Sequence, residues 1–276
     1  MATKIGFIGY GNMAQAIAKG VVDAGFVKTS DVFVTDVDPE KKKLARLKMG
    51  FMSTYTAKQI AWTADVLILA VKPHQYEEVI NDFKKKMHKN TIVVSIAAGL
   101  TIETLESYFD KPVKIVRTMP NTPAMVGEGM TAIIPNSNME EADTGLIQNI
   151  FSSFGKVEVV EEALIDAVIV TSGSAPAYIY MMIEAMIEGG MNEGMTRYMA
   201  TRFASQAVYG AAKMVIETGI APNDLCEAVC SPNGTTIEAV NYLNENNFSG
   251  IVKSAMKACA ERSHEISEHS RELTNN

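Results

Sequence analysis

The sequence predicts a doubly wound α/β domain over residues 1–161, followed by an all-helical domain over residues 162–276. Three observations carry this expectation. Short apolar runs alternate with helical stretches through the first half of the chain. Nearly every run is apolar throughout, as strands are in a parallel sheet covered by helices on both faces. After about Glu161 strand patterning stops, and the remaining apolar residues follow helical spacing.

The first strand is Lys4 to Gly9, followed by a helix from Asn12 to about Ala24 that stops at Gly25. Val32 to Asp36 is the second strand, and Pro39 to Met49 a helix that begins on proline and ends at Gly50. Val66 to Val71 is the next strand, with a helix across Tyr76 to Met87. Thr91 to Ile96 is again a strand, then come a helix near Ile102 to Phe109 and the strand Lys114 to Thr118. Thr131 to Ile134 and Val157 to Val160 bracket a helix around Glu140 to Phe154. In the second domain Ala163 to Thr171 is helical. Ser172-Gly173-Ser174-Ala175-Pro176 then breaks and restarts the helix, with Pro176 at a favourable first position. Further helices are expected over 177–193, 196–218, 223–229, 236–244 and 249–272. Their apolar residues, including Met181, Met182, Met186 and Met199, exceed one amphipathic stripe. That excess predicts packed core and a partner subunit.

A chain of 276 residues with 47% hydrophobic and 21% charged residues suits about two ordinary globular domains. Its formal charge is −7, from 25 basic and 32 acidic residues, which argues against a nucleic-acid partner. The densest basic run, Lys41 to Lys48, reads as a solvated helix face. No stretch approaches the length of a membrane span, and the first residues enter a strand without a signal segment. The three cysteines, Cys226, Cys230 and Cys259, predict buried reduced thiols and a cytoplasmic location. Cys226 and Cys230 fall four residues apart on one helix face, with no histidine or carboxylate to complete a metal site.

Gly9-Tyr10-Gly11-Asn12-Met13-Ala14 follows a strand and opens a helix, fitting the dinucleotide fingerprint with Ala14 in its third small position. The first glycine permits the tight turn, and the second lets the backbone approach a pyrophosphate. Asp36, ending the second strand, is placed to face adenosine ribose hydroxyls, or else is a solvated carboxylate beside Asp38. Ala70-Val71-Lys72-Pro73 and Ala97-Ala98-Gly99 follow two further strands, at the edge where open α/β sheets bind ligands. Asn121 lies in the proline-stiffened loop Arg117 to Pro123, which is either a connector or part of a site. Near the other end, Cys230-Ser231-Pro232-Asn233-Gly234-Thr235-Thr236 interrupts helix. Pro232 stops the helix before it, and Asn233-Gly234 is a turn pair. Thr235 precedes Glu238 at capping-box spacing, so a helix start that welcomes an anion is expected there. The plainer reading of this loop is a turn and a cap.

With both halves read, the chain resembles pyrroline-5-carboxylate reductases over essentially its full length. The similarity rests on Phe7 to Met13, with Ile8 in it, on Ala70 to Pro73, on Ala97 to Gly99, on Met119 to Pro123 and on Ser172 to Tyr178. The most specific segment runs from Pro222 through Cys230-Ser231-Pro232-Asn233-Gly234-Thr235-Thr236 to Val240. Asn233 and Ala175 stand where glycine is usual in that family.

The resemblance implies a Rossmann-type domain followed by an all-α dimerisation domain, in a homodimer or a ring of dimers. It also implies NADPH or NADH as cofactor and 1-pyrroline-5-carboxylate as substrate, held between one subunit's cofactor and a signature loop that tends to come from the partner. Ile8 to Met13, Asp36, Ala70 to Pro73 and Ala97 to Gly99 would then hold the dinucleotide. Ser231, Asn233, Gly234, Thr235, Thr236, Ser174 and Asn121 would line the substrate, with backbone N–H groups of 234–236 on its carboxylate. Thr236 is the expected catalytic contact, its hydroxyl at the ring nitrogen; no metal is implied. Asp36 and the uncharged Val37 favour use of NADH at least as well as NADPH. Two rivals remain in view. A β-hydroxyacid dehydrogenase would carry a catalytic lysine in the stretch Val168 to Tyr178, which has none. A non-catalytic dinucleotide sensor would have no use for the Ser231–Thr236 loop.

Overall fold

The computed structural model describes residues 2–274; residues 1, 275 and 276, which the expected domain limits include, lie outside the described residues. Strands β1 (Ile5–Ile8), β2 (Val32–Thr35), β3 (Val66–Leu69), β4 (Ile92–Ser95), β5 (Lys114–Met119), β6 (Gly129–Pro135) and β7 (Gly155–Val159) form one sheet, in the order β2-β1-β3-β4-β5-β6-β7. Helices α1 (Asn12–Asp23), α2 (Pro39–Met49), α3 (Ala57–Thr63), α4 (Tyr76–Phe83), α5 (Ile102–Ser107) and α6 (Glu141–Ser152) alternate with them. Two apolar layers result. Phe7, Ile17, Ile68, Val94 and Phe151 fill one face of the sheet, and Ile60, Leu67, Leu69, Phe83 and Ile115 the other. The strands β1, β3 and β4 are buried on both faces, which is why they read as unbroken apolar runs.

The sheet departs from the parallel expectation at one place: β6 runs antiparallel to β5, while β7 returns parallel to β6. The link between β5 and β6 is a short 3₁₀ turn over Thr122–Val126, too short for the roughly dozen-residue parallel crossover. The expected apolar character also fails at β7, which is half-exposed or exposed along its length. Helix α3 carries no strong apolar period and was not anticipated; a Thr56–Gln59 capping box starts it. Just before it, Met52 makes a one-residue parallel bridge to Phe33 on the edge strand β2. With that bridge counted as a strand, the order becomes the 3-2-1-4-5-6 pattern of dinucleotide-binding sheets.

The remaining helices are α7 (Ile165–Val168), α8 (Ala175–Asn192), α9 (Arg197–Thr218), α10 (Pro222–Ala228), α11 (Thr235–Glu245) and α12 (Phe248–Thr274). The break expected at Ser172–Pro176 is present: Ser174 is a non-helical bend, and α8 restarts at Ala175 with Pro176 in its first turn. A π-helical turn over Ile169–Gly173 leads from α7 to that bend. Counted across that bend, Glu162–Asn192 spans 31 residues and is by length and composition apolar enough to cross a membrane, which corrects the expectation that no stretch is.

The chain forms two compact units, residues 1–174 with 259–276, and residues 175–258. In the first, the returning α12 packs Cys259 beside Ile134, Ile165 and Ile169. Ser263 Oγ donates to Asp166 Oδ1 at 2.5 Å, and His264 Nδ1 lies 3.2 Å from Asp166 Oδ2. In the second, α8 and α9 meet through Ile183, Ile187, Ala200 and Ala204. Arg197 Nη2 holds both oxygens of Glu184, at 2.7 and 2.9 Å. Much of this unit's apolar surface stays exposed: Met181 by 74%, Tyr198 by 71% and Ile216 by 76%. The cysteines are not fully buried as expected. Cys226 is exposed, Cys230 and Cys259 are partly so, and although α10 ends before Cys230, the Cys226 and Cys230 side chains still hydrogen-bond one another.

Candidate active site

Register brings the first group of site residues together. Thr35, Ile8, Leu69, Ser95 and Arg117 form one row across β2, β1, β3, β4 and β5, at the carboxyl ends of the parallel strands. Asp36, Gly9, Ala70 and Ala97 therefore leave the sheet along one edge. Gly9 has φ +92°, and a Cβ there would lie 2.6 Å from the Ala70 carbonyl oxygen. Both the turn and the approach of the two backbones demand glycine. Around Gly11 the situation is the opposite: an added Cβ would meet nothing within 4 Å.

Gly11 caps α1 without any side-chain hydrogen bond. The N–H groups of Asn12, Met13 and Ala14 thus sit at a bare helix N-terminus facing open space, which suits a pyrophosphate. Tyr10 is buried, its ring edge-on to Phe51 at 6.4 Å between centroids, and burial pushes its phenol up to about 12. These residues fit a dinucleotide.

Asp36 turns back over this loop. Its Oδ2 accepts the Tyr10 N–H at 2.6 Å, its Oδ1 accepts the Asp38 N–H at 2.9 Å, and Lys41 Nζ lies 3.7 Å away. The carboxylate is only 7% exposed, so it is a fixed part of the fingerprint turn and not a freely solvated loop group. Ala70 is tied to β1 through its N–H to the Ile8 carbonyl, at 2.8 Å. Lys72 is exposed, its N–H capped by Gln75 Oε1 at 3.1 Å. Beyond β4, the Ala97 N–H is held by Ser95 Oγ at 3.3 Å, Ala98 is exposed, and Gly99 takes φ +84°.

Asn121 and Ser174 lie in the same unit. Asn121 Nδ2 donates to both the carbonyl and the hydroxyl oxygen of Ser172, each at 3.3 Å, and its Oδ1 accepts the Met130 N–H at 2.9 Å. Pro176 has no N–H to offer the carbonyl four residues back, that of Ser172, and Asn121 satisfies it instead. Ser174 Oγ accepts from Cys259 Sγ at 3.3 Å. Arg117, buried at the end of β5, donates from Nη1 to Glu162 Oε1 at 2.7 Å, and the same oxygen accepts the Ile102 N–H at 2.8 Å. Ser172 and Glu162 were not singled out from the sequence. A buried arginine signals that a carboxylate must be near, but not which one.

The loop 230–236 belongs to the second unit. Its geometry differs from the expected capping box, because Thr235 is already helical and Gly234 is the cap, with no side-chain hydrogen bond. Asn233 alone takes the left-handed backbone, φ +58°, while Gly234 is extended. Asparagine tolerates that region, so the turn does not require glycine there. The Gly234 N–H is engaged by the Ser231 carbonyl at 3.0 Å, so it is not available as a donor. The N–H groups of Thr235, Thr236 and Ile237 form the open first turn of α11, with Ser231, Asn233, Thr235 and Thr236 all exposed around it. Among the described residues no group of three or more His, Cys, Asp or Glu is placed to hold a metal.

Comparison with known proteins matches two separate stretches of the chain to family models. Residues 162–266 match the family model described as pyrroline-5-carboxylate reductase dimerisation. Residues 4–99 match the model described as NADP oxidoreductase coenzyme F420-dependent. The chain is 43% identical to the pyrroline-5-carboxylate reductase of Escherichia coli, over 97% of this chain and 99% of that one. The solved structure of a pyrroline-5-carboxylate reductase from Coxiella burnetii superposes with a TM-score of 0.89 at 34% identity, over 97% and 99% of the two chains. That of the Plasmodium falciparum enzyme with NADP bound gives 0.87 at 30% identity, over 96% and 98%.

Proposed function

The chain belongs to the pyrroline-5-carboxylate reductase family; it reduces 1-pyrroline-5-carboxylate to L-proline with NADPH or NADH, the last step of proline biosynthesis, and we propose which of its residues do so. The observation that carries the activity is similarity over essentially the whole chain, which takes in both the fingerprint turn and the loop 230–236. When bound, the reduced nicotinamide supplies hydride to the C=N carbon of the substrate.

The protein's own work is to bind, orient and protect two reactants. The α1 N-terminus and Gly11 take the pyrophosphate, and Asp36 takes the adenosine ribose. The segments 70–73 and 97–99 hold the nicotinamide end. The exposed first turn of α11 receives the substrate carboxylate on the N–H groups of Thr235 and Thr236, with Ser231 beside it. The Thr236 hydroxyl contacts the ring nitrogen, which carries the proton that makes the imine electrophilic. Asn121 acts through the segment that carries Ser172 and Ser174. No acid–base pair is required, because proximity and orientation account for a large part of the barrier reduction.

Cofactor choice follows from Asp36. A carboxylate at the end of β2 accepts from a free 2′-hydroxyl and repels a 2′-phosphate, so NADH is used at least as well as NADPH. The active form is a homodimer or a ring of dimers in the cytoplasm, with the loop 230–236 serving a partner's cofactor. The exposed apolar residues of α8 and α9 are read as subunit interface, not as a lipid-facing surface. Incubation with NADH and 1-pyrroline-5-carboxylate should oxidise the cofactor at a rate proportional to enzyme. A hydroxyacid with the oxidised cofactor should give no comparable rate; turnover of the hydroxyacid alone would overturn the reading.

A further inference from the structure

A chain of buried hydrogen bonds links two segments of the dinucleotide site, and its centre is a residue with no role so far. Tyr76 opens α4, immediately after the turn that follows 70–73, and is fully buried. Its hydroxyl donates to the carbonyl of Leu69 at 2.6 Å. It accepts in turn from Ser95 Oγ, at 3.0 Å, and Ser95 Oγ accepts the Ala97 N–H at 3.3 Å. Leu69 and Ser95 are paired residues at the ends of β3 and β4. The chain therefore runs in one direction, from Ala97 N–H through Ser95 and Tyr76 to the Leu69 carbonyl. On the far side, Thr118 Oγ1 donates to the Ser95 carbonyl at 3.0 Å and ties β5 to the same point.

These groups are sealed from water: Tyr76 and Ser95 are 0% exposed and Thr118 is 1% exposed. Burial pushes the Tyr76 phenol well above its ordinary range, so it stays a neutral donor. A pair of neighbouring parallel strands needs no side-chain bridge, since the ladder already holds them. Here the bridge reinforces the last ladder pair, where the Leu69 carbonyl also accepts the Ile96 N–H at 3.4 Å and the chain turns into 70–73 and 97–99. Hydrogen bonds aligned head to tail in a low-dielectric interior reinforce one another, and a missing member leaves a buried partner unsatisfied.

We propose that Tyr76 is a positioning residue for the reduction: through Ser95 it fixes the separation of the segments 70–73 and 97–99, and with it the seat of the nicotinamide ring. The inference rests on those two segments holding the nicotinamide end. The adenosine end is held elsewhere, by Asp36 and the turn at Gly9 to Gly11, which approaches the Ala70 backbone but gives its own N–H groups to Thr35 and Asp36. The two ends should therefore respond differently.

The test compares Tyr76→Phe, Ser95→Ala and the double variant with wild type in binding NADH and in binding ADP-ribose, which lacks the nicotinamide. In the Tyr76→Phe variant NADH affinity and kcat should each fall by about tenfold, with ADP-ribose affinity within about twofold of wild type. The double variant should be no worse than the worse single one, because the two residues act as one unit. NADH affinity unchanged in Tyr76→Phe, or NADH and ADP-ribose weakened equally, would overturn the proposal, the second by showing a general loss of fold. A wild-type protein that binds neither ligand would instead overturn the cofactor site itself.

Discussion

Gly9 carries two requirements at once, a left-handed turn and contact with the Ala70 backbone. Gly9→Ala should cost about 1–3 kcal/mol of stability. It should also weaken NADH binding at least tenfold, by titration, because the loop cannot keep its path. Wild-type affinity in that variant would show that the turn does not hold the pyrophosphate. Asp36 was legible as an acidic residue at a strand end, but its grip on the Tyr10 N–H was not, since a side chain reaching back 26 residues leaves no local pattern. The carboxylate retains further lone pairs for a ribose hydroxyl. A kcat/KM for NADPH ten or more times that for NADH, about 1.4 kcal/mol, would show that Asp36 does not read the ribose. Thr236 sits in the first turn of α11, whose cap is the backbone of Gly234. Thr236→Val should therefore leave the melting temperature unchanged while kcat falls tenfold or more, about 1–3 kcal/mol for a lost polar contact. Unchanged turnover would leave the hydroxyl without a catalytic part.

At the scale of elements, the loop before α11 depends on small side chains. A Cβ on Gly234 would collide with the Ser231 hydroxyl and lie 3.0 Å from the Ser231 carbonyl oxygen. Gly234→Val should raise KM for the imine strongly while NADH affinity stays at the wild-type value. Equal loss of both would point to damage beyond the loop. The glycines and prolines made this loop legible in the sequence, and the apolar runs made β1, β3 and β4 legible. Other elements were hidden for physical reasons. Met52 contributes a strand of one residue, too short for any alternation to register. The direction of β6 depends on the length of the link after β5, not on the residues within β6. Ser172–Pro176 carries the marks of a helix break. The break falls at Ser174, but the π turn before it left no local mark, and neither did Asn121 as donor to the Ser172 carbonyl, a contact 51 residues distant in sequence.

For the molecule as a whole, the second unit has a small core and a wide apolar surface. Residues such as Met181, Tyr198, Phe203 and Ile216 are each more than 60% exposed, and burying one such side chain is worth about 1.5–3 kcal/mol. Several together are enough to hold a subunit pair, so light scattering should report a mass of two or more chains; a monomer at all concentrations would contradict it. This surplus of apolar residues was visible in the sequence, although which of them form a core and which wait for a partner was not, because both follow the same helical spacing. The central claim is that this protein reduces the C=N bond of 1-pyrroline-5-carboxylate. Isotope tracing tests it most directly. With NADH carrying deuterium at the transferable position, the proline formed should hold one deuterium on the ring carbon that was the imine carbon. Cofactor oxidation without deuterated proline, or with the label in another product, would contradict the claim.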